Sequence, residues 1–368
     1  MKNSKKILII TSEFPPQPGG IGNHGYNLAK QLQLHGYIVT VLTDVRSKKG
    51  IEEEQFDATL PFKVIRIKRY GFILFTYLKR ILMYWKAVSN YDLVLASGKF
   101  PLWMIGLDPL LKNKKKYAVI HGSELNLKGF AKKLTNNALL NFNKIIAVSN
   151  FTKSLIKHLK HSKVEVISNG FNIETCISEE STNKVIKDKE NPILITVGNV
   201  TQRKGQLNVI EALPILIEKF PKIHYHIVGI PTMQQDFEEL AKKLNVAEHI
   251  TFHGLVTEQK KQQLLQESTI FVMLSTKTIT GDVEGFGIAI IEANAFGLPA
   301  IGSNTSGIVA TIHNNVSGKL VDPKNKDAIL NAVEEISNNY SNYSINATAW
   351  SAQFKWEVII KKYLKAFE

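Results

Sequence analysis

Two glutamates, Glu284 and Glu292, are separated by seven residues within the glycine-rich stretch 281–293. A carboxylate accepts hydrogen bonds from neutral hydroxyl groups but repels phosphate. If Glu284 lies on a loop and Glu292 on the helix that follows, the two side chains can reach opposite ends of one elongated polar ligand. The pair therefore indicates a ligand with a hydroxyl-rich ring at each end. The competing interpretation is two solvated glutamates on a helix surface.

Between the two glutamates the sequence predicts the start of a helix that ends near Phe296. The N–H groups around Phe286, Gly287 and Ile288 would have no partner inside the helix, and the positive end of the helix dipole would lie beside them. Such a helix start binds phosphate well. We expect it to hold a diphosphate between the two rings that the glutamates bind.

Two cations, Arg203 and Lys204, follow the predicted strand 193–197 and its turn at Asn199. In a parallel sheet, the loop after this strand lies at the same carboxyl edge as the loop that carries Glu284. Arg203 and Lys204 can therefore stabilise a departing nucleotide diphosphate by their charge, a role that magnesium often fills. We expect no metal ion at this site. The competing interpretation is an exposed Arg-Lys pair without a function.

A Gly-x-Gly-x-x-Gly pattern from Gly20 to Gly25 follows the first predicted strand, and Asp44 ends the second. This combination is the dinucleotide fingerprint of a dehydrogenase, but residues 12–18 separate the glycines from the strand that they should follow directly. The alternative is that Gly20 and Gly22 form a flexible lip at a helix start, where free N–H groups face a diphosphate. A purely structural turn is the third interpretation.

His121 ends another predicted strand of the first half and would face a cleft between two domains, unless it is a core or capping histidine. Four histidines of the second half, His224, His226, His249 and His253, could suggest a metal site. Only the first two share a strand face, and no cluster of carboxylates accompanies them. We expect all four to be structural.

Apolar runs and helical stripes alternate in both halves of the chain, which predicts an α/β fold with two doubly wound parallel sheets. The polar stretch 172–191 predicts a linker. We expect domains at 1–171 and 172–349, with a C-terminal helix at about 350–368 that joins the first. The predicted strands are 6–11, 38–43, 63–67, 93–96, 117–120, 144–148, 193–197, 223–228, 250–252, 270–274, 299–301 and 319–321, and the clearest helices of the first half are 22–34, 74–88 and 151–159.

The basic charge of the chain is confined to its first half. Residues 1–170 contain 27 Lys and Arg against 10 Asp and Glu, whereas residues 171–368 contain 19 against 22. This asymmetry indicates an anionic partner for the first half, such as phospholipid headgroups, a phosphate-bearing acceptor or nucleic acid. No nucleic-acid-binding module is recognisable, so we expect no nucleic-acid partner. A lysine-rich surface that only confers solubility is the alternative.

The segment 66–86 mixes basic side chains with aromatic and aliphatic ones. This composition is typical of a helix in an anionic membrane interface, although a domain helix with a basic outer side would look the same. No run of about 18 apolar residues is present, and the run 7–10 is too short for a signal peptide. A single cysteine, Cys176, excludes an intramolecular disulfide. We expect a cytoplasmic protein attached peripherally to the inner face of the cell membrane.

Several motifs resemble one known family when they are taken together. The most specific is Glu284-Gly-Phe-Gly-Ile288 followed by Glu292. The others are Pro15-Pro16 to Gly19-Gly20-Ile21-Gly22, His121-Gly122, Ser149-Asn150, Ser168-Asn169-Gly170, Val197-Gly198 to Arg203-Lys204-Gly205, and Gly318 to Pro323. Over nearly the whole chain they resemble glycosyltransferase family 4, the retaining nucleotide-sugar transferases of the GT-B fold. The resemblance implies two Rossmann-like domains that face each other across a cleft, an acceptor domain followed by a donor domain.

The resemblance also implies roles for the matching residues. Glu284 would contact hydroxyls of the transferred sugar, and Glu292 would contact the ribose. His121 would lie near the transferred sugar, and Gly20 and Gly22 would form the lip over the phosphates. The diphosphate itself would be held by the helix start described above, together with the two neighbouring cations.

Two positions depart from the family pattern. Many members carry an arginine where this chain has Asn199, so we expect Arg203 and Lys204 to bear more of the phosphate charge here. Many members also show Gly-Gly-Ile-Pro-Glu where this chain has the loop 305–310. The contacts of that loop with the donor are therefore open.

From these features we predict a retaining hexosyltransferase. The hexose, which could be mannose, glucose, galactose or an N-acetylhexosamine, would pass from a UDP- or GDP-sugar to a lipid-linked or glycan acceptor in polysaccharide or glycolipid synthesis. We expect no metal and no cofactor beyond this co-substrate. Glu284, His121, Lys204 and Arg203 would be catalytic, with the leaving diphosphate taking the proton of the acceptor. Two alternatives stay open: an NAD-dependent Rossmann oxidoreductase, and a basic non-catalytic protein that binds lipid or nucleic acid.

Overall fold

A computed structural model describes residues 4–69, 71–111, 114–161, 163–172 and 190–368 of the chain. The chain divides into two compact units. The first consists of Met1–Gly170 with Trp356–Glu368, and the second of Phe171–Lys355. Cys176 and most of the predicted linker at 172–191 lie outside the described residues.

Seven strands form the sheet of the first unit. They are β1 (Lys6–Thr11), β2 (Ile38–Asp44), β3 (Lys63–Ile67), β4 (Leu93–Ser97), β5 (Lys115–Ile120), β6 (Lys144–Ala147) and β7 (Val164–Val166). All pair in parallel, in the order β3-β2-β1-β4-β5-β6-β7. The inner strands are nearly continuous apolar runs because both faces of a parallel sheet are covered. In β1, for example, Ile7 to Ile10 are at most 3% exposed.

Six helices of the first unit alternate with these strands. They are α1 (Gly20–Leu34), α2 (Ile51–Asp57), α3 (Ile73–Val88), α4 (Lys99–Gly106), α5 (Gly129–Leu140) and α6 (Asn150–Ser154). Their buried faces complete the core on the two sides of the sheet; Tyr84 of α3 and Leu102 of α4, for example, are fully buried within it. The helices therefore follow the crossover pattern that a parallel sheet requires.

The second unit repeats the architecture, with six strands and six helices among its described residues. The strands are β8 (Ile193–Val197), β9 (His224–Val228), β10 (Ile250–Gly254), β11 (Ile270–Met273), β12 (Ala300–Ser303) and β13 (Gly318–Val321). The helices are α7 (Gln206–Lys219), α8 (Gln234–Lys243), α9 (Glu258–Glu267), α10 (Ile288–Ala295), α11 (Lys326–Asn338) and α12 (Tyr340–Ala352). The parallel sheet has the order β10-β9-β8-β11-β12-β13. Both sheets thus run outward in two directions from a central pair of strands, as in other doubly wound folds.

The C-terminal segment is shared between the two units. α12 packs against α10 and α11 of the second unit. The last helix, α13 (Trp356–Ala366), packs against α1 and belongs to the first unit. Trp356 and Tyr363 are fully buried there, and the hydroxyl of Tyr363 lies 2.9 Å from Nε2 of His24. The segment therefore returns to the first unit at Trp356, six residues later than the position 350 that its helical spacing predicts.

All twelve predicted strands are present, with ends that differ by at most two residues. The seventh strand of the first sheet, β7, is not predicted because its three residues, Val-Glu-Val, are too few to show a period. The predicted helix at 151–159 is instead the short helix α6, a turn and a 3₁₀ turn at Lys157–Leu159. The predicted α/β fold with two doubly wound sheets is correct.

Candidate active site

The strand order of the second unit reverses between β8 and β11, which pair at the centre of its sheet. Doubly wound sheets bind their ligands at such a switch point, outside the carboxyl ends of the strands. The loop after β8 carries Arg203 and Lys204, and the loop after β11 carries Asp282 and Glu284. The topology therefore brings the predicted cations and the first predicted glutamate to the same edge.

Glu284 is the centre of an ion-pair network at this edge. Its Oε2 atom lies 2.6 Å from Nη1 of Arg203 and 2.8 Å from Nζ of Lys204. Nε of Arg203 lies 3.1 Å from Oδ2 of Asp282. The side chains of Glu284 and Lys204 are only 13% and 15% exposed. Ionic hydrogen bonds are strong in such a water-poor setting.

The pKa of Glu284 follows from two opposing effects. Burial raises the pKa of a carboxyl group, but the charges of Lys204 and Arg203 and the backbone N–H of Phe286 lower it, and the resulting pKa is about 2. Glu284 is therefore ionised at neutral pH. An ionised carboxylate acts only as an acceptor, which suits it to hydroxyl groups.

The backbone around Arg203 and Lys204 is fixed by a close approach to the end of β11. Gly205 has φ +80°, and a Cβ atom at this position would lie 2.0 Å from the carbonyl oxygen of Leu274. The hydroxyl of Ser275 and the N–H of Thr276 both donate to the carbonyl oxygen of Arg203. The two loops are thus joined behind the ion pairs, and only glycine fits at position 205.

The loop 305–310, whose role the sequence leaves open, forms a hydrogen bond with the backbone of Glu284. The N–H of Gly307 donates to the backbone carbonyl of Glu284 at 2.8 Å. A Cβ atom on Gly307 would lie 2.0 Å from the carbonyl oxygen of Gly285. In the sequence, only the glycine at position 307 indicates this contact. A side chain there would displace the loop that carries Glu284.

Helix α10 starts at the position that the sequence predicts. Its N-cap, Gly287, has φ +92°, and Ile288 is the first helical residue. The ring of Phe286 is buried and packs against Phe354, with 5.9 Å between ring centroids. The N–H of Phe286 differs from the expectation, because it donates to the carboxylate of Glu284. The residues at the helix start therefore help to hold the acidic side chain.

Glu292 is the fifth residue of α10 and contacts a cation that sequence reasoning missed. Its Oε2 atom lies 3.8 Å from Nζ of Lys261, on α9, and Lys261 also pairs with Glu258 at 2.9 Å. Burial raises the pKa of Glu292, while the positive charges of Lys261 and Lys204 act to lower it. Lys204 thus acts electrostatically on both predicted glutamates. No sequence pattern links α9 to this edge; only the fold brings Lys261 there.

Asn199 is exposed in the turn that follows β8. Its backbone carbonyl accepts a hydrogen bond of 3.1 Å from Nε2 of the buried Gln206. A Cβ atom on the preceding residue, Gly198, would lie 3.2 Å from Cε of Lys204. The turn therefore packs on the stem of Lys204, and Asn199 lies directly beside the cation cluster.

In the first unit, α1 begins at Gly20 after an eight-residue loop with a cis Pro15–Pro16 peptide bond. A Cβ atom on Gly20 would meet no other atom within 4 Å, whereas one on Gly22 would lie 2.9 Å from the backbone nitrogen of Phe14. Gly22 thus allows the loop to pack on the helix, and Gly20 leaves the helix start open.

His121 follows β5 and forms a histidine cluster with His24 in the first unit, in which His24 is buried and His121 is partly buried. Its Nε2 atom lies 3.0 Å from the hydroxyl of Ser97, and its ring stands edge-on to His24 at 5.0 Å. Its backbone N–H donates to the carboxylate of Glu124. Burial lowers the pKa of His121 to about 4, so the ring is neutral at pH 7. A neutral imidazole donates a hydrogen bond from one ring nitrogen and accepts one at the other.

Comparison with protein families identifies the chain. Residues 18–175 match the family described as Glycosyltransferase Family 4, and residues 177–350 match Glycosyl transferases group 1. The two matches cover both units. The chain belongs to glycosyltransferase family 4. The predicted GT-B fold, with two parallel-sheet α/β domains, is confirmed with it.

Similar proteins match the glycosyltransferase over almost its whole length. The GDP-mannose-dependent alpha-(1-6)-phosphatidylinositol monomannoside mannosyltransferase of Mycobacterium tuberculosis is 23% identical over 379 residues, covering 97% of this chain and 96% of that protein. Sucrose-phosphate synthase of Thermosynechococcus elongatus has a TM-score of 0.81 at 20% identity, over 99% of this chain and 98% of that one. HepE of Anabaena, in complex with UDP and glucose, has a TM-score of 0.79 at 18% identity, over 99% of both chains. These two structures share the fold.

The dehydrogenase alternative fails at Asp44, the residue that would have to bind a ribose. The buried carboxylate of Asp44 accepts from Nε of Arg80 at 2.9 Å and from Nε of Arg69 at 3.1 Å. A second nitrogen of Arg80 also donates to it. In the glycosyltransferase, Asp44 therefore anchors two arginines.

The histidines of the second unit have protein partners. His224 contacts the hydroxyl of Thr251 at 2.8 Å, His249 contacts the carbonyl of Ile223 at 2.7 Å, and His253 contacts His226 at 3.1 Å. Within the described ranges, no group of three or more His, Cys, Asp or Glu side chains is placed to bind a metal ion. The same part of the glycosyltransferase contains no helix with the length and apolar character needed to span a bilayer.

Proposed function

We propose that the glycosyltransferase binds a UDP- or GDP-hexose in its second unit and transfers the hexose, with retention, to a lipid-linked or glycan acceptor. The observation that carries this proposal is the network in which Arg203 and Lys204 converge on Glu284 at the switch point of the sheet. It combines an acceptor for sugar hydroxyls with positive charge for a diphosphate. Glu292, on the helix that starts beside them, supplies the acceptor for the ribose.

The chemistry proposed for this site needs a stabilised leaving group. The acceptor hydroxyl oxygen bonds to the anomeric carbon on the face from which the β-phosphate oxygen departs. The bond between the carbon and that oxygen breaks, and the departing phosphate takes the hydroxyl proton. Lys204 and Arg203 stabilise the charge that grows on the diphosphate, which is the dominant contribution in such electrostatic sites. Glu284 holds both cations in place and orients the hydroxyls of the sugar.

GDP-mannose is the first donor to test. The Mycobacterium tuberculosis relative is named as GDP-mannose-dependent and as acting on a phosphatidylinositol mannoside, whereas the HepE structure contains UDP and glucose. A thermal-shift screen with GDP-mannose, UDP-glucose, UDP-galactose and UDP-N-acetylglucosamine would identify the donor. We expect one of them to raise the melting temperature in the wild type and to fail with Glu292→Gln. A shift with NAD and with none of the nucleotide sugars would contradict the proposal.

Retention and metal independence each have a direct test. The anomeric configuration of the first product, measured by NMR before mutarotation, should equal that of the donor. The turnover number should be unchanged in EDTA, because Arg203 and Lys204 supply the positive charge. Inversion, or a loss of activity that added magnesium restores, would refute the respective part of the proposal.

An exposed apolar face of α3 supports the further proposal that the enzyme attaches to the cytoplasmic surface of a membrane. Five large side chains on this face, between 48% and 59% exposed, are Leu74, Phe75, Leu78, Leu82 and Trp85. Their spacing places them on one side of the helix, away from the side that carries the buried Thr76 and Tyr84. Soluble monomers rarely expose apolar patches of this kind, and such patches mark contact surfaces.

The charges around this face fit an anionic membrane. Arg66, Arg69 and Arg80 are paired with aspartates within the unit, so part of their charge is already compensated. Lys79 and Lys86 are exposed next to the apolar face of α3. Lysines at the border of an apolar helix face can bind anionic headgroups while the apolar side chains enter the interface.

Flotation with vesicles tests this attachment. The wild type should float with vesicles rich in anionic lipid at low salt. The double variant Leu78→Ser/Leu82→Ser should reduce the bound fraction by about tenfold or more, because two exposed leucines no longer enter the interface. Leu110→Ser/Leu255→Ser is the matched control, since both leucines are exposed elsewhere. Equal flotation of both variants would contradict a docking role for α3.

A further inference from the structure

A second cluster of positive charge surrounds a cavity beside β7, the last strand at one edge of the first sheet. The cavity has a volume of about 370 Å³ and lies between the segment from α6 to the 3₁₀ turn and the edge strand β7. Three lysines line it, namely Lys153, Lys157 and Lys160. The volume falls within the range of sites that bind small molecules. None of the residues of the donor site in the second unit takes part in it.

The charge of this cavity is not compensated by nearby acids. Residues 150–164 contain no Asp or Glu. The first acid that follows, Glu165, is paired with Lys144 at 3.3 Å. Among the described residues, the three lysines form no ion pair. Like charges held around one cavity repel each other, so the arrangement costs stability that a bound anion would restore.

The backbone and the buried side chains that form the frame of the cavity are held by hydrogen bonds and packing. The lysine side chains are exposed to solvent. The hydroxyl of Ser149 caps α6 by accepting from the N–H of Thr152 at 3.0 Å, and Ile156 is buried in the core. His161 also belongs to the frame. Its Nε2 atom lies 3.0 Å from the carbonyl of Phe142, and its Nδ1 atom accepts from the N–H of Lys163 at 3.2 Å. The imidazole is therefore occupied, and the anion contacts must come from the lysines and from the side chain at Asn150.

The backbone conformation of Lys160 is a separate observation about this cavity. Lys160 adopts a left-handed conformation with φ +51° and ψ +29°, at the end of the 3₁₀ turn. Glycine or asparagine takes this conformation at lower cost than lysine. Residues that carry such a cost are often found where a side chain is needed for binding. Here the lysine adds a third ammonium group to the cavity.

We infer that this cavity, bounded by Lys153, Lys157 and Lys160, is a binding site for a phosphate group, separate from the donor site. Lysine ammonium groups bind phosphate as mobile point charges and do not require the planar fork of arginine. The phosphate group belongs either to the headgroup of a membrane lipid or to a soluble phosphorylated compound. The inference does not rest on the proposed transfer reaction, because it involves no residue of that site.

Titration calorimetry with inorganic pyrophosphate tests the site in a Lys204→Ala background, in which binding at the donor site is weakened. We expect one site per chain in this background. Lys153→Gln/Lys160→Gln should weaken it by about tenfold or more, the scale of one lost hydrogen bond to a charged group. Lys132→Gln/Lys133→Gln on α5 is the control with the same charge change on exposed lysines. Unchanged affinity in the first variant, or an equal loss in the control, would overturn the inference.

Vesicle flotation then separates the two sources of phosphate. If the ligand is a lipid headgroup, Lys153→Gln/Lys160→Gln should lower flotation with vesicles that contain phosphatidylinositol phosphate, and the control pair should not. If the ligand is soluble, flotation should be unchanged while pyrophosphate binding is lost. All four substituted lysines are exposed, so unfolding midpoints should remain within a few degrees of the wild type.

Discussion

The two units share one architecture but differ in how far their positive charges are paired with carboxylates. In the second unit, the cations at the switch point are each matched by a carboxylate: Arg203 and Lys204 by Glu284, and Lys261 by Glu292. In the first unit, Arg66 is paired with the partly buried Asp57 and Arg80 with the buried Asp44, and many lysines remain at the surface. A cluster in which buried cations are paired with carboxylates can bind a ligand that carries both hydroxyl groups and phosphate. An uncompensated surface attracts anions over a longer range.

This difference also explains why the total charge of the chain says little about its chemistry. The large positive charge of residues 1–170 lies on a unit whose histidine cluster is neutral and whose Asp44 is already bonded. The unit that carries the ion-pair network has a slightly negative total. The site is therefore defined by the local pairing of charges, which can be broken one group at a time.

Removal of one cation should have the largest effect. Lys204→Ala should lower the turnover number by about 100-fold or more, because a group that stabilises the leaving charge is lost. Lys222→Ala is the control, since Lys222 is exposed in the turn that precedes β9, at the opposite edge of the sheet. Steady-state kinetics with a saturating donor measure both. Turnover within threefold of the wild type in Lys204→Ala would remove Lys204 from the leaving-group role.

Glu284 should link the stability of the second unit to pH. Its pKa, lowered to about 2 by its two cations, lies below the value in an unfolded chain. The ionised group therefore stabilises the fold above the unfolded pKa of about 4.3, and this contribution is lost as the pH falls toward 2. The contribution at pH 7 is on the order of 3 kcal/mol.

Urea unfolding of the wild type and Glu284→Gln measures this contribution. The difference between the two in the free energy of unfolding should be large at pH 7 and should shrink as the pH falls from about 4.5 to 2.5. Glu267→Gln, at an exposed position on α9, should show no such difference. If the difference in the free energy of unfolding between the wild type and Glu284→Gln stays constant over this range, the pairing with Arg203 and Lys204 does not stabilise the fold.

Glu292→Gln should weaken the binding of a nucleoside diphosphate by about tenfold or more, because a charged hydrogen bond to the ribose is lost. Burial raises the pKa of Glu292, so the wild type should lose affinity on acidification at a pH above the usual carboxyl value of about 4.3. The variant should not show this loss. Calorimetric titrations between pH 5 and pH 7 test both statements, and identical affinities of the two proteins at pH 7 would contradict the ribose contact.

The smallest effect is expected at the return of the C-terminal helix to the first unit. Tyr363→Phe removes the hydroxyl that lies 2.9 Å from Nε2 of His24. The loss of one buried hydrogen bond should cost about 1 kcal/mol and lower the melting temperature by a few degrees. Tyr37→Phe, at a half-buried position, should cost less. A melting temperature equal to the wild type in Tyr363→Phe would mean that this bond does not hold α13 on α1.

The sequence predicted the parts of this molecule that depend on local pattern. All twelve expected strands, and the start of α10 at Gly287, follow from apolar runs and from glycine at a position with positive φ. From the sequence, Glu284 and Arg203 could be placed only at the same edge of the sheet, because the sequence does not give the conformation of the two loops that carry them. In the structure the two side chains are in direct contact.

Other features could not be predicted because they depend on contacts between distant elements. Lys261 reaches Glu292 only through the packing of α9 beside α10, and its own helix shows no pattern that marks it. The sequence left the dehydrogenase alternative at Asp44 open, because the contact with Arg80, 36 residues later, depends on the fold. The strand β7 has too few residues to show a period, and the return of the chain to the first unit at Trp356 depends on what that side chain packs against.

The central claim is that the switch point of the second unit holds the diphosphate half of a nucleotide sugar. Hydrogen–deuterium exchange with UDP and with GDP tests it most directly, because it reports the bound segment without requiring the acceptor. We predict that one of these nucleotides protects the peptides that span residues 198–205 and 284–292. Protection confined to the segment from Gly20 to Asp44, or seen only with NAD, would contradict the account.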